Sequence, residues 1–230
     1  MEVLKYLKRL SLTVALTAVL SAVVFYGPQI HPLDRSPERV ASHDLLFVAE
    51  NKDSGEIKNL HTCTSTAIGP HTVLTALHCI YGAYPTVRLD LSPVVYHIDG
   101  AMMDGREHVI LHFSDVTFKY YVSISQRSPK MGEKIRAYGF GGGDYPAHAY
   151  YGKVIPDGYA GDLSDIDDYI GTFQFSFPVI GGDSGAAIFG EDGALVGVVS
   201  YSRGDEEDKD HFGGGCTTAF TPEQLEKTKF

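Results

Sequence analysis

Short segments rich in β-branched and aromatic residues, separated by turn-forming residues, recur along most of this 230-residue chain. Groups of Gly, Pro, Asp or Ser stand between them, as is typical of strands joined by tight connections. Many short strands at even spacing predict an all-β barrel or sandwich. Helical periodicity is confined to residues 221–230, where Thr221 is the expected N-cap of a short helix. The predicted strands lie in residues 44–50, 65–69, 72–78, 86–91, 108–113, 116–124, 134–140, 171–177, 185–190 and 194–201.

The charge balance argues against a nucleic-acid partner. Lys and Arg total 19 against 29 for Asp and Glu, so the formal net charge is −10. A protein that binds nucleic acid needs a basic face, and this chain has a basic cluster only within its first ten residues. Since hydrophobic residues make up 43% of the chain, we expect an acidic globular protein.

The N-terminus has the pattern of an export signal. Lys5, Lys8 and Arg9 precede an apolar run over residues 10–26, which Gly27 and Pro28 end. A basic flank followed by a short apolar stretch predicts that residues 1–26 are a signal peptide. The run of 17 residues is close to the lower limit for crossing a bilayer, so an uncleaved signal-anchor that tethers the chain to a membrane is the alternative. We expect a protein that is secreted, periplasmic or anchored to the outer face of a membrane, with residues 27–39 as a linker or pro-segment.

Three local features have the residue types of nucleophilic catalysis. They are the segment TALHC that ends at Cys79, the segment GGDSG at 181–185, and Asp115 at the start of DVTF. A nucleophilic serine needs a base within hydrogen-bond reach, and the base needs an acidic partner that fixes its tautomer. His78, Asp115 and Ser184 would supply these three parts.

The glycines around Ser184 have a physical purpose in such a site. Gly182 and Gly185 allow the backbone to turn sharply on each side of Asp183 and Ser184. We expect this turn to bring the amides of Gly182 and Ser184 towards one point, where an oxyanion would form.

The sequence resembles the chymotrypsin-like serine proteases. TAIGPHTVLTALHCI at 66–80 is similar to their histidine motif, in wording closest to the bacterial V8-like branch, GGDSG to their nucleophile motif, and YGFGG at 138–142 to their Gly-aromatic-Gly strand end. The resemblance implies two six-stranded antiparallel β-barrels with the active site between them, over residues 40–230. It also implies a monomeric serine endopeptidase that acts on a protein or peptide substrate without a cofactor. The first barrel would occupy about 40–125, the second about 134–220, and the C-terminal helix 221–230.

The acidic member of the site has several candidates. Asp90, Asp99 and Asp104 lie between His78 and Ser184 together with Asp115. Asp115 is favoured because it directly precedes an alternating segment, as the aspartate of the family does, and Asp104 is the second choice.

The three cysteines divide into a pair and a single residue. The resemblance implies a disulfide between Cys63 and Cys79, beside His78. The family's partner position for Cys216 holds Ile180, so we expect a thiol at Cys216, with an intermolecular bridge as the alternative.

No metal site is expected. His108 and His112 lie four residues apart in a predicted strand, which separates them by about 13 Å and prevents them from sharing one ion. They are interpreted as solvent-facing strand residues, and the acidic run at 205–210 as a solvated loop and not a calcium site.

The resemblance also places the substrate pocket. The floor of this pocket lacks the aspartate of trypsin-type enzymes, and Val199 stands where glutamate-specific V8-like enzymes have a histidine. The expected preference at the residue before the scissile bond is therefore apolar or small. By motif position the floor is Pro178 and the walls are Val179, Ile180, Ser200, Tyr201 and Ser202.

Activation by proteolysis is a further expectation from the resemblance. Cleavage after Arg39 would free the amino group of Val40, which would be buried against Asp183 and would order the oxyanion loop. The alternative is that Asp183 bonds to local backbone and that no processing occurs.

Two other functions are compatible with these motifs. A catalytically silent homologue would act as a binding module, although the intact His78 and Ser184 favour an enzyme. An esterase would use the same triad, but its GxSxG elbow is absent because Ala186 stands two residues after Ser184.

Overall fold

The computed structural model describes residues 36–51, 53–81, 86–156, 171–203 and 212–229. The predicted export segment at 1–26, the linker up to residue 35 and the acidic run at 205–210 lie outside these ranges. Within them the chain forms thirteen β-strands and two short α-helices, so the all-β prediction with a C-terminal helix is confirmed. No helix in the described ranges has the length and apolar character needed to cross a membrane.

The first half of the described chain is a curled antiparallel sheet of seven strands, where one six-stranded barrel was expected. Its core comes from the buried faces of the central strands, with Phe47, Leu74 and Leu111 completely buried. The strand order is β5-β4-β1-β2-β3-β7-β6. The strands are β1 (Ser42–Glu50), β2 (Ile57–Gly69), β3 (Thr72–Ala76), β4 (Thr86–Leu89), β5 (Tyr96–His97), β6 (Gly100–Met103) and β7 (His108–His112).

The second half is a closed six-stranded barrel, as expected. Aromatic rings fill its interior, and the glycines of its last strand make room for them. A Cβ at Gly213 would lie 2.0 Å from the ring of Phe175, and one at Gly215, on the same face of the strand, would lie 3.0 Å from the ring of Phe173. The strand order is β10-β13-β12-β11-β8-β9. The strands are β8 (Lys134–Gly139), β9 (His148–Ile155), β10 (Thr172–Phe175), β11 (Ala187–Phe189), β12 (Leu195–Arg203) and β13 (Phe212–Cys216).

Helix α1 (Pro37–Val40), at the beginning of the described chain, packs against the closed barrel of the second half. Ser36 Oγ donates a hydrogen bond of 3.2 Å to the hydroxyl of Tyr138, and Glu38 forms an ion pair with Arg136. Both partners belong to β8. Residues 36–39, expected to be part of a linker, therefore pack against the folded unit.

Helix α2 (Pro222–Glu226) begins at the predicted N-cap. Thr221 Oγ1 accepts a hydrogen bond of 3.2 Å from the amide of Gln224, and the Gln224 side chain accepts one of 2.8 Å from the amide of Thr221. This reciprocal capping box satisfies two amides that the first turn leaves without partners.

The connection between the two halves differs from the prediction. Residues 116–124, expected to form a strand, join no sheet and make a single bridge, from Ile124 to Leu195. The segment passes along the edge of the first sheet: Phe118 donates its amide to Pro70 O at 2.8 Å and Val122 donates to Ala67 O at 3.0 Å. Phe118 is buried, so packing accounts for the apolar alternation without a continuous strand.

Candidate active site

His78 lies on the 3₁₀ turn (Leu77–Ile80) that follows β3. Strand β3 pairs with β7 so that Ala76 is opposite His108, and this register brings Glu107 beside the turn. Leu77 donates its amide to Glu107 O at 3.0 Å, and His78 donates its amide to Glu107 Oε1 at 3.1 Å. The same Oε1 bonds to Nδ1 of the His78 ring. The backbone amide and Nδ1 of His78 thus both bond to the same carboxylate oxygen, Oε1 of Glu107.

Glu107, and neither of the two aspartates favoured from the sequence, is the carboxylate that orients His78. Asp115 is exposed after β7, and in the described chain no hydrogen bond connects it to His78. Asp104 bonds to His108 instead. The sequence did contain a signal for Glu107, since it directly precedes the strand HVILH as Asp115 precedes its own apolar segment, but only aspartates were among the predicted acids.

The environment of Glu107 keeps its carboxyl group ionised. Burial by itself raises the pKa of Glu107, but the hydrogen bonds and the charge of His78 lower it by more, so that its pKa lies below the ordinary value. The Glu107 side chain is 11% exposed and that of His78 is 38% exposed. The pair therefore combines a shielded acceptor with an imidazole that remains open to solvent.

The amides of Gly182 and Ser184 are directed by their neighbouring carbonyls. Gly181 O accepts a hydrogen bond of 2.7 Å from the amide of Gly142, and Asp183 O accepts one of 2.9 Å from the amide of Ala186. Because C=O and N–H point in opposite directions across a trans peptide, the N–H groups of Gly182 and Ser184 face away from these contacts. Within the described residues neither N–H has a hydrogen-bond acceptor. Two available donors on one turn are the chemical requirement of an oxyanion hole.

Thr64 of β2 joins the two halves of the fold beneath this turn. Its amide donates to Ser184 O at 2.8 Å, and its hydroxyl donates to Gly182 O at 2.9 Å while accepting from the Phe140 amide at 2.9 Å. The approach is so close that a Cβ at Gly185 would lie 2.1 Å from Thr64 O, and Gly185 has φ of +90°. Residues 181–185, called the nucleophile turn after the predicted nucleophile Ser184, therefore require glycine at position 185.

The predicted disulfide between Cys63 and Cys79 is present. It connects the residue before Thr64 to the residue after His78, so one covalent link lies between His78 and the residue that supports the turn around Ser184. Cys216 lies outside this bond, at the end of β13, where burial raises the pKa of its thiol to about 11.

Removing the disulfide is expected to destabilise the fold without unfolding it. Replacing both Cys63 and Cys79 by Ser releases a loop that spans 16 positions, which corresponds to about 3 kcal/mol of unfolding free energy. Urea denaturation measures the loss, and dithiothreitol should lower the stability of the wild type but not of the double variant. Equal unfolding midpoints for wild type and variant would contradict the expectation.

Asp183 is completely buried and its carboxylate accepts three hydrogen bonds. Oδ1 accepts from the amide of Gly141 at 2.8 Å, and Oδ2 accepts from the Tyr150 hydroxyl at 2.7 Å and from the amide of Ile180 at 3.0 Å. Val40, the proposed partner after cleavage, lies in α1 with its amide bonded to Ser36 O at 3.1 Å. The pairing of Val40 with Asp183 in a cleaved chain stays a prediction.

A buried polar cluster lies directly behind Glu107 and corrects the interpretation of His108. This residue is completely buried and not solvent-facing: Nδ1 bonds to Asp104 Oδ2 at 2.8 Å and Nε2 to Cys216 O at 2.9 Å. Asp104 Oδ2 also accepts from the Ala219 amide at 2.8 Å, and Arg106 donates to Thr217 O at 2.9 Å. We call Asp104, Arg106 and His108 the brace, since all three bond to residues 216–219.

The residues predicted to form the substrate pocket lie on neighbouring segments beside the nucleophile turn. Val199 accepts from Gly185 and donates to Ala186, each at 2.8 Å, which aligns Ser200 and Tyr201 with the residues after Ser184. Strand β13 pairs with β12 on one side, and on the other its Gly213 donates to Phe177 O at 3.1 Å. It therefore lies between the wall residues of β12 and those that follow Phe177. Val179 and Ser200 are buried, Tyr201 is half-buried, and Pro178 and Ile180 are exposed; the Ser202 side chain lies outside the described part.

Comparison with solved structures shows that the two β units have the chymotrypsin-like fold. Rv3671c of M. tuberculosis, a protease, in its active form is 18% identical over 83% of this chain and 82% of that one, with a TM-score of 0.60. An inactive form carrying a serine-to-alanine change is 18% identical over 83% and 87%, with a TM-score of 0.59. The thermostable serine protease AL20 of an extremophilic microorganism is 15% identical over 79% and 93%, with a TM-score of 0.57.

These likenesses establish the fold of the chain. No protein-family model and no curated protein sequence matches it. The resemblance to the V8-like branch stays a prediction.

Proposed function

We propose that the protein is a serine endopeptidase whose catalytic residues are Ser184, His78 and Glu107. The observation that carries this proposal is the His78–Glu107 pair in a fold whose nucleophile turn has two unengaged amides. The fold is that of known serine proteases. We further propose that the chain works outside the cytoplasm, secreted or tethered through its N-terminal apolar segment.

The proposed reaction is acyl transfer from a peptide to Ser184 and then to water. Ser184 Oγ attacks the peptide carbonyl carbon while Nε2 of His78 takes the hydroxyl proton, and the carbonyl oxygen becomes an oxyanion. The amides of Gly182 and Ser184 donate to this oxyanion. His78 then gives its proton to the leaving amine as the C–N bond breaks. Water attacks the acyl-enzyme, its proton passes through His78 to Ser184 Oγ, and the acid product leaves.

Glu107 would act on this sequence through His78. Its carboxylate accepts from Nδ1, which leaves Nε2 as the basic nitrogen, and its negative charge stabilises the imidazolium formed in each half-reaction. The lowered pKa of Glu107 keeps the carboxyl group as an acceptor at neutral pH.

We propose an apolar or small side chain before the scissile bond. The described members of the predicted pocket, Pro178, Val179, Ile180, Ser200 and Tyr201, include no charged group that would pair with a basic or acidic residue. Cleavage of a peptide library would test this preference by the residues enriched at the cut site.

Labelling by a fluorophosphonate probe tests the proposed function. The full-length chain should be labelled at neutral pH on Ser184, because the probe requires an activated serine. Ser184→Ala should abolish labelling and peptide hydrolysis, while Ser128→Ala, at an exposed position, should react like the wild type. A wild-type chain that is neither labelled nor able to cleave peptides, with or without its N-terminal segment, would identify a silent homologue instead.

A further inference from the structure

We infer that Tyr150, by donating a hydrogen bond to Asp183, positions the oxyanion loop, which is the turn at 181–185 with the amides of Gly182 and Ser184. The uncleaved chain would then already be active. The inference rests on the proposed serine protease function. It replaces the expected amino group of Val40 by a hydroxyl that the fold itself supplies, and it makes Tyr150 a positioning residue for the reaction.

The contacts of Asp183 carry the inference. This residue directly precedes Ser184 and is completely buried, so its carboxylate needs donors from within the fold. Two of its three donors are the backbone amides of Gly141 and Ile180, and the third is the hydroxyl of Tyr150 at 2.7 Å. Tyr150 is thus the side chain that supplies a hydrogen bond which a newly formed N-terminus would otherwise supply.

Tyr150 is suited to remain a donor. Burial raises its pKa, and the hydrogen bond to Asp183 and the negative charge of Asp183 raise it further, so the hydroxyl keeps its proton at neutral pH and well above it. The ring is held independently, since it stacks on Phe177 with centroids 5.5 Å apart and an interplanar angle of 14°. Its hydroxyl is therefore fixed without any change elsewhere in the chain.

The space around Asp183 is built for this arrangement. A Cβ at Gly139 would lie 2.1 Å from Asp183 Oδ1, and one at Gly141 would lie 2.8 Å from both carboxylate oxygens. The backbone therefore encloses the carboxylate closely. Val40 meanwhile belongs to α1, which the Glu38–Arg136 ion pair fastens to β8. Moving its amino group to Asp183 would break these contacts and displace a donor that is already present.

The contacts of Asp183 lead directly to the oxyanion donors. Asp183 fixes the amide of Gly141, and the next amide, Gly142, bonds to Gly181 O and thereby directs the N–H of Gly182. Losing the Tyr150 hydroxyl leaves a buried carboxylate with one donor fewer and loosens this chain of contacts. Because the oxyanion is present in the tetrahedral intermediate and the transition states next to it but not in the bound substrate, the effect should fall on the chemical step and not on ground-state binding.

Tyr150→Phe is the test, because it removes the hydroxyl and keeps the stacked ring. A hydrogen bond to a charged group corresponds to about 10- to 100-fold in rate. We expect the maximal rate of fluorophosphonate inactivation and the kcat for p-nitrophenyl acetate to fall by this factor, with the probe's KI and the KM little changed. Tyr151→Phe is the matched control: Tyr151 is the next residue of β9 and is 65% exposed, so the rates of this variant should equal those of the wild type.

A second variant separates the inference from the proposed function. Full-length Arg39→Gln cannot be cut by a basic-specific protease at the proposed activation site, and we expect it to be labelled at the wild-type rate. The inference is overturned if this variant is inert while a chain starting at Val40 is labelled, a result that would leave the proposed function intact. It is also overturned if Tyr150→Phe reacts like Tyr151→Phe. Absence of labelling in every chain, cleaved or not, would remove the proposed function and the inference together.

Discussion

Replacing Glu107 by Gln is expected to lower kcat for peptide hydrolysis by about 10³- to 10⁴-fold. The substitution keeps the size of the side chain and an oxygen that can accept from the amide of His78. It removes the negative charge that stabilises the imidazolium. Because Oε1 bonds to both the amide and Nδ1 of His78, the oxygen and the NH₂ group of the introduced glutamine compete for that one position, and the NH₂ group there would favour the wrong tautomer of the ring and lose the bond from the amide. Steady-state kinetics on a peptide substrate measure the loss, and circular dichroism verifies that the fold is retained.

Two companion variants make this prediction specific to Glu107. Asp115→Asn removes the carboxylate favoured from the sequence, and since Asp115 is exposed and has no bond to His78, its kcat should stay within about twofold of the wild type. Glu107→Asp keeps the charge on a shorter side chain and should recover part of the lost activity. A large loss in Asp115→Asn together with a small one in Glu107→Gln would show that the acid had been wrongly assigned.

The contrast between these two residues shows where sequence reasoning succeeded and where it failed. His78 and Cys79 belong to one contiguous motif, and the disulfide predicted between Cys79 and Cys63 is confirmed. The partner of His78 depends on the register between β3 and β7, which places Glu107 beside Leu77. Several acidic residues between His78 and Ser184 satisfy the local pattern almost equally well, so a three-dimensional contact decides among them.

Burial and hydrogen bonding were the least predictable features. The β-branched and aliphatic residues of HVILH correctly predicted a strand, but the burial of His108 depends on residues 216–219 of the other half, more than 100 positions away. Tyr150 was likewise absent from the predicted site, because strand β9 was not recognised in HAYYGKVI and nothing local connects it to Asp183. Residues 116–124 show the opposite error, because a strand was predicted where none forms. The β-branched and aromatic residues of this segment pack against the fold, but its backbone pairs with no strand and makes one isolated bridge.

The brace behind Glu107 predicts the largest effect on stability. Asp104→Asn is expected to lower the free energy of unfolding by about 3–5 kcal/mol at pH 7, because it removes the charged partner of a completely buried His108. Asp104 is a carboxylate that only accepts, so it takes the hydrogen bond from Nδ1 of the His108 ring. The NH₂ group of the introduced asparagine would face at least one N–H group, from Arg106, His108 or Ala219, that the carboxylate now satisfies.

The pH dependence of this loss distinguishes an ionic role from mere packing. Burial by itself raises the pKa of Asp104, but the hydrogen bond and charge of His108 lower it by more, to below the ordinary value of 3.8. A carboxyl group with a depressed folded-state pKa contributes stability above its unfolded pKa and loses it as the pH falls through the folded value. The difference between wild type and Asp104→Asn in urea denaturation should therefore shrink below about pH 4, whereas Asp53→Asn, at an exposed position, should match the wild type throughout. An equally large deficit for Asp104→Asn at pH 7 and well below about pH 3 would mean that the charge of Asp104 does not hold the brace together, and that shape alone joins Glu107 to the second half of the fold.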